Sequence, residues 1–190
     1  MEQKDKLHSR RLFIALDIPE DAKAKLLLSR DAVQLKGKYR WEAMDKIHLT
    51  LNFIGDVEED KIPLINKVLD ETLRFKSFHC KITRFGFFFK SGDPKILYAV
   101  LEVDRSIYEI EKFLSERLKN FDILTDRKPY KPHLTLLKIK GKTEEGFIES
   151  ITSYKFETIS FLAQEIVLYE SALNITGSTY KRLKTIYLST

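Results

Sequence analysis

The tetrapeptide His-Leu-Thr-Leu occurs twice in this chain, at residues 48–51 and 133–136, and the two copies hold half of its four histidines. An imidazole titrates near neutral pH, so one copy can accept a proton while the other donates one. Threonine hydroxyls can donate hydrogen bonds to oxygens on which negative charge develops. These side chains suit metal-independent hydrolysis of a phosphodiester, in which one histidine activates water and the other protonates the departing oxygen. The residues alone leave open which histidine is the acid and which is the base.

Each copy lies in an apolar run that is typical of a β-strand. Successive side chains of a strand point to opposite faces of the sheet. His48 and Thr50 are therefore predicted to share one face, and Leu49, Leu51 and Phe53 the other. Two such strands would bury their leucines and present two imidazoles and two hydroxyls to one cleft.

The spacing of the two copies indicates an internal duplication. The histidines are 85 positions apart, and the same offset aligns the apolar residues 12–18 with residues 97–103. Each half reads as strand, helix, His-Leu-Thr-Leu strand, helix and strand. We therefore predict one two-lobed domain over residues 1–190, duplicated over about 11–90 and 96–173, with a further C-terminal strand. The fold class is α+β, with two pseudo-symmetric α/β lobes and mostly antiparallel sheets facing a central cleft.

Helices in the first half are predicted from their start signals and apolar spacing. Pro19 and two acidic residues begin a helix that should run to about Leu35, before Gly37. Asp56 and Glu59 resemble a capping pair for a second helix, with Pro63 in its first turn. Its predicted apolar stripe is Ile62, Ile65, Leu69 and Leu73.

The second half is predicted in the same way. Asp104 can cap a helix, and a shorter helix is predicted over residues 144–151. Strands are predicted at about residues 78–89, 156–161, 166–171 and 180–188, with a turn over 174–177. The apolar positions of the Asp104 helix are Ile107, Ile110, Phe113, Leu114, Leu118 and Phe121.

Composition narrows the class of protein. The 190 residues are 43% hydrophobic, which is enough for a sizeable core, and the formal net charge of +5 favours an anionic partner. The polar residues 1–10 lack the apolar core of a signal peptide, and no apolar run is long enough to span a bilayer. The single cysteine, Cys80, cannot form an internal disulfide. We expect a cytoplasmic monomer without a membrane partner.

The most basic stretch surrounds the second motif, over residues 126–142. A polyanion could dock there, with Tyr130 as a stacking surface. Strict alternation puts Lys138 on the leucine face, so it reaches a phosphate beside His133 only if the strand twists or bulges. Zinc, EF-hand and glycine-rich phosphate-loop patterns are absent from the sequence, and we expect neither a metal nor a cofactor.

With these motifs the chain resembles a known family, the RNA 2′,3′-cyclic phosphodiesterases, also called 2′-5′ RNA ligases, within the two-histidine phosphoesterase superfamily. The likeness covers nearly the whole chain. Besides both His-x-Thr-x motifs, it rests on residues 11–16, Trp41, residues 53–55, Ser171, Gly177 and Tyr180.

The resemblance implies an enzyme that opens a 2′,3′-cyclic phosphate, on an RNA 3′ end or a nucleoside, to leave a 2′-phosphate. It implies that His48 is the general acid on the 3′ leaving oxygen and His133 the general base on water, with Thr50 and Thr135 holding the phosphate. Family members often have an arginine where this chain has Lys138, which cannot form the same bidentate contact. Two alternatives stay open, namely a 2′-5′ ligase acting on tRNA halves and a non-catalytic nucleotide- or RNA-binding module.

Overall fold

The computed structural model describes residues 9–33, 39–126, 129–175 and 177–190. In these ranges eight strands and four α-helices alternate for most of the chain. In chain order they are β1 (Ser9–Asp17), α1 (Glu20–Asp31), β2 (His48–Glu58), α2 (Ile62–Asp70), β3 (Phe78–Lys90), β4 (Asp93–Val103), α3 (Ser106–Lys119), β5 (His133–Lys138), α4 (Phe147–Ser153), β6 (Ile159–Ala163), β7 (Glu165–Asn174) and β8 (Gly177–Tyr187).

The strands form two antiparallel four-stranded sheets, in the orders β2-β1-β7-β8 and β5-β4-β3-β6. This confirms the predicted α+β class with two antiparallel sheets. The sheets nevertheless do not coincide with the two predicted halves, because β3 joins the sheet of β4 and β5 whereas β7 joins the sheet of β1 and β2. The two halves therefore interlock. The division at about 11–90 and 96–173 stays a prediction.

Both motif strands carry one extra residue directly after the threonine. In β2, Thr50 lies opposite Ala15 but Asn52 lies opposite Ile14, so Leu51 has no partner of its own. Such a β-bulge changes which face the following residues occupy. Asn52 is consequently buried, and its amide donates hydrogen bonds to side chains of α3.

The second motif strand repeats this irregularity. Thr135 lies opposite Tyr98 and Leu137 lies opposite Leu97, which leaves Leu136 as the extra residue. Leu136 and Leu137 are therefore both buried, and Lys138 points out of the core. The same change of face in β2 overturns one prediction, since Phe53 lies on the exposed side and not with Leu49 and Leu51.

The helices depart from prediction mainly at their ends. Helix α1 ends at Asp31 rather than near residue 35, because the Val33 N–H turns back to the Arg30 carbonyl and the Val33 side chain enters the core. The predicted end at Leu35 and Gly37 lies outside the described residues.

The predicted capping pair of α2 is wrong, because Asp56 belongs to β2 and a short 3₁₀ turn over Glu59–Lys61 precedes the helix. Pro63 does lie in the first turn of α2. Leu73 follows the helix and is exposed, so it is not part of the apolar stripe. Helix α4 begins at Phe147, three residues later than predicted.

In the second half, Asp104 accepts the Ser106 N–H at the start of α3 as expected, and Phe121 lies just beyond the end of that helix. The strand predicted over 156–161 begins only at Ile159. No helix in the described ranges is long and apolar enough to cross a membrane.

The start of α1 is tied to the end of β1 by buried charge. The Lys23 ammonium lies 3.0 Å from the Asp17 carboxylate, and the Arg182 guanidinium of β8 lies 2.7 Å from the other oxygen of the same carboxylate. Lys23 is almost completely buried, so this ion pair joins helix, strand and neighbouring hairpin at one point. Asp17 is also the residue opposite His48 in the sheet.

The motif leucines anchor their strands in the core, and we expect them to dominate the stability of the site. Leu134 is 0% exposed, and shortening it in Leu134→Ala should lower the free energy of unfolding by about 2 to 5 kcal/mol, measured by urea denaturation. Leu28, which is 72% exposed on α1, is the matched control. An equal loss for Leu28→Ala and Leu134→Ala would contradict the assignment of Leu134 to the core.

Candidate active site

The four residues predicted from the repeated motif line one cleft. His48 and Thr50 come from β2, and His133 and Thr135 come from β5. Each of these strands lies at one edge of its sheet. The cleft has a volume of about 260 Å³. Its other lining residues are Arg11, Phe13, Glu42, Lys46, Phe53, Lys138, Ser171, Leu173, Ser178 and Tyr180.

The two imidazoles are held in the same way. Nδ1 of His133 lies 2.7 Å from the carbonyl oxygen of Lys131, and the ring of His48 hydrogen bonds to the backbone of Lys46. Each partner is therefore the residue two positions upstream. A carbonyl only accepts hydrogen bonds, so Nδ1 of His133 carries its proton and leaves Nε2 for the cleft. That nitrogen accepts a proton when the ring is neutral and donates one when it is charged.

His48 is surrounded by aromatic rings. Its centroid lies 4.9 Å from that of Phe13, 5.4 Å from that of Tyr180 and 5.9 Å from that of Tyr169. Burial among these rings lowers the pKa of His48 from 6.5 to about 4, although the bond to Lys46 and the nearby Asp17 carboxylate oppose the shift. At neutral pH the His48 imidazole is therefore uncharged when the cleft holds no anion.

His133 has a smaller aromatic environment. Its ring meets the rings of Phe88 and Tyr98 edge-on, with centroid distances of 4.8 Å and 5.5 Å. Burial lowers the pKa of His133 from 6.5, and the bond to the Lys131 carbonyl opposes this. Both histidines thus favour the neutral form, and both have one nitrogen fixed by the backbone.

The bulge in β5 brings Lys138 into the cleft. Strict alternation predicts this side chain on the leucine face, and only a twist or bulge in the strand would turn it toward His133. The extra residue Leu136 forms that bulge. The Lys138 ammonium lies 3.3 Å from a carboxylate oxygen of Glu42. Phe53 occupies the equivalent place after the bulge in β2, where the Arg11 guanidinium lies 5.0 Å from its ring centroid.

Tyr130 does not line this cleft. Its ring packs against the core and meets Tyr108 edge-on at 5.8 Å, and its hydroxyl is buried without a hydrogen-bond partner in the part of the chain that the structure describes. Burial raises the pKa of this hydroxyl. The expectation that Tyr130 offers a stacking surface to a molecule in the cleft is therefore corrected.

Several lining residues were not recognised from the sequence. Lys46 lies two positions before His48, so the period of a strand could have indicated that it faces the same side. Glu42, Leu173 and Ser178 come from other segments and carry no comparable signal. Their positions depend on how the 39–43 segment and the β7–β8 hairpin fold over β2 and β5.

The two antiparallel sheets and the paired His-x-Thr residues show what class of protein this is, namely an α+β protein with two histidines in one cleft. The model of the 2′-5′ RNA ligase superfamily matches residues 29–174. The chain therefore belongs to that superfamily.

Relatives and solved structures agree with this placement. RNA 2′,3′-cyclic phosphodiesterase from Methanocaldococcus jannaschii is 28% identical over 176 residues, which cover 92% of this chain and 98% of the relative. The protein of the same name from Thermotoga maritima is 29% identical over 177 residues, covering 91% of this chain and 92% of its own. The structure of E. coli LigT complexed with 3′-AMP has the same fold, with a TM-score of 0.79 at 22% identity over 96% of this chain and all of that one.

Burial of His48 predicts a loss of stability in mild acid. Below pH 6.5 the unfolded chain takes up a proton that the folded chain does not accept until about pH 4, so the free energy of unfolding falls over this interval. Between pH 7 and pH 5 the contribution is up to about 2 kcal/mol. In urea titrations, His48→Gln should reduce the loss by that amount, whereas the exposed His79→Gln should not. If wild type and His48→Gln lose the same free energy of unfolding between pH 7 and pH 5, the assignment of this acid sensitivity to His48 is wrong.

Proposed function

We propose that this protein hydrolyses 2′,3′-cyclic phosphates on RNA 3′ ends or nucleosides to 2′-phosphates, without a metal ion. The observation that carries the proposal is the meeting of both His-x-Thr pairs in one cleft, with the same backbone contact behind each imidazole. The relatives from M. jannaschii and T. maritima are named for this activity.

The reaction needs one proton acceptor and one proton donor on opposite sides of phosphorus. In our assignment, Nε2 of His133 removes a proton from water while the water oxygen bonds to phosphorus. The bond from phosphorus to the 3′ oxygen breaks, and His48 donates a proton to that oxygen. The product is a 2′-phosphate and a 3′-hydroxyl. His133 is left protonated and His48 neutral, and exchange with solvent restores both.

The other cleft residues act on charge. Hydroxyls of Thr50 and Thr135 donate hydrogen bonds to the non-bridging oxygens, where negative charge builds as water adds. The Lys138 ammonium supplies a nearby positive charge, held at the cleft by Glu42. Lysine acts here as a point charge and not as a bidentate partner.

Binding of the substrate changes the protonation of the site. An empty cleft favours two neutral histidines, because burial lowers both pKa values. The negative phosphodiester favours an imidazolium beside it and raises these pKa values in the complex. The substrate thereby promotes the singly protonated state that the reaction needs.

Substitution of either histidine tests the proposal. His48→Ala and His133→Ala should each reduce the hydrolysis of a 2′,3′-cyclic-phosphate oligonucleotide by about 10² to 10⁴, because a positioned acid or base contributes that much. The reaction should be unaffected by EDTA, and chromatography should identify a 2′-phosphate. His79→Ala, which removes an exposed histidine outside the cleft, is the control. Full activity in either cleft variant, a requirement for added divalent metal, or a 3′-phosphate product would refute the proposal.

The pH dependence should show the lowered pKa values. The ratio kcat/KM reports the protonation of the free enzyme, so it should depend on pH as a bell-shaped curve. Its alkaline limb should lie below pH 6.5, where the histidine pair loses its last proton. The acid limb lies near pH 4, where both histidines are charged. The limbs of kcat should lie at higher pH because the bound anion stabilises the imidazolium. An alkaline limb of kcat/KM above pH 7 would contradict this account.

A further inference from the structure

A second, larger groove opens directly from the catalytic cleft. Its volume is about 780 Å³, three times that of the cleft. The two share the residues Glu42, Lys46, Lys138 and Ser178 at their junction. A molecule whose end lies between the two histidines can therefore continue into this groove without leaving the surface.

The groove is built on the outer edge of β5, where the strand pairs with the segment that carries Trp41 and Glu42. The Glu42 N–H donates to the carbonyl of Leu136 at 2.8 Å, and Trp41 forms a bridge with Leu137. These contacts fix one wall, the 39–46 segment, against the strand. The opposite wall continues β5 over residues 137–144, where the Ile139 N–H donates to the Lys95 carbonyl. Both walls are thus held by backbone hydrogen bonds.

The lining of the groove is strongly basic. Five of its residues are lysine or arginine and two are glutamate. Lys138 and Lys140 are exposed at alternate positions, with the buried Ile139 between them, and Lys142 follows on the same wall. Among the described residues, no carboxylate lies within ion-pair distance of Arg40, Lys46, Lys140 or Lys142. Their charges are therefore available to a bound anion.

Aromatic surface accompanies the charges. Tyr39 and Trp41 both line the groove. The Arg30 guanidinium lies 5.4 Å from the Trp41 ring centroid, and Tyr39 meets Trp41 edge-on at 6.5 Å and contacts Phe147 at 4.7 Å. The rings are therefore fixed in position. A basic track with fixed aromatic side chains is the combination that binds single-stranded nucleic acid.

We propose that this groove binds the nucleotides on the 5′ side of the terminal cyclic phosphate in a single-stranded RNA. The inference rests on the proposed function, because the cyclic phosphate in the cleft fixes the direction of the strand. A 2′,3′-cyclic phosphate ends the chain, so the rest of the RNA leaves the cleft in the 5′ direction. It passes Lys138 and lies along Lys140 and Lys142, whose ammonium groups contact backbone phosphates. The groove thus makes RNA ends better substrates than cyclic mononucleotides.

The test compares substrates of increasing length. A nucleoside 2′,3′-cyclic phosphate, and RNA of two, four and eight nucleotides ending in the same group, are hydrolysed by wild type and by Lys140→Ala/Lys142→Ala. For wild type, kcat/KM should rise with length over the first added nucleotides, through a lower KM. The double variant should lose about tenfold in kcat/KM on the longer RNAs, because exposed phosphate contacts contribute roughly threefold each.

The mononucleotide provides the internal reference. Its hydrolysis should be the same in wild type and the double variant, because Lys140 and Lys142 do not line the catalytic cleft. Loss on the longer RNAs should appear in KM with kcat unchanged, since these contacts are made away from phosphorus. Lys81→Ala/Lys155→Ala removes two exposed lysines that line neither the cleft nor the groove, with the same change of charge. That variant should keep the dependence on length.

Several outcomes would overturn the proposal. One is a wild-type enzyme that hydrolyses the mononucleotide and the longer RNAs with equal kcat/KM. Another is a dependence on length that both double variants retain, which would place the strand elsewhere.

Equilibrium binding separates this inference from the catalytic one. Fluorescence anisotropy with labelled single-stranded RNA that ends in a 2′-phosphate needs no turnover. If no substrate is hydrolysed, tenfold weaker binding in Lys140→Ala/Lys142→Ala alone still supports the groove, and the proposed function fails by itself. Equal binding by wild type and both double variants refutes the groove.

Discussion

The single extra residue after each motif threonine determines what the cleft contains. Without it, strict alternation would place Phe53 and Lys138 in the core with the leucines. The bulges leave the His-x-Thr pair on the cleft side and then reverse the faces, so that Asn52 and Leu137 turn inward. The third side chain that each strand offers to the cleft is therefore Phe53 in place of Asn52, and Lys138 in place of Leu137. In one strand the third is a cation, and in the other it is an aromatic ring.

The interlocked sheets connect each motif strand to strands from both predicted halves of the chain. Each motif strand pairs with a central strand, β1 or β4, whose other neighbour is β7 or β3. Since β3 and β7 cross between the predicted halves, neither sheet can move without strands of both. Leu49 and Leu134 pin the motif strands from the core side. Both histidines thus lie on strands that are anchored in the core, which suits the proposed action of the two groups on opposite sides of one atom.

The sequence predicted the class of fold and the four motif residues of the cleft because period-two alternation and an exact repeat are strong local signals. The predicted face of Phe53 was wrong because a bulge arises from the pairing of two strands, and no residue in His-Leu-Thr-Leu indicates one. The face that Lys138 occupies depends on the equivalent bulge in β5, so alternation alone does not determine it. Tyr130 was misplaced because local basic charge gives no information on which side of β5 the preceding loop packs. Glu42 reaches the cleft only through a bridge to the edge of β5, a contact between segments far apart in sequence.

Low pKa values and positive charge are connected at this site. Burial among aromatic rings keeps both histidines neutral, and the Lys138 charge lowers the pKa of His48 further. An anion that enters the cleft reverses both effects, because it neutralises the lysine field and stabilises an imidazolium. A neutral molecule of the same shape does neither. We infer that the site selects its ligand by charge twice, first through the basic groove that leads to the cleft and then through the protonation state that only an anion can produce. Lys138 lines both regions, so the bulge that turns it outward connects the proposed RNA-binding groove to the proposed site of hydrolysis.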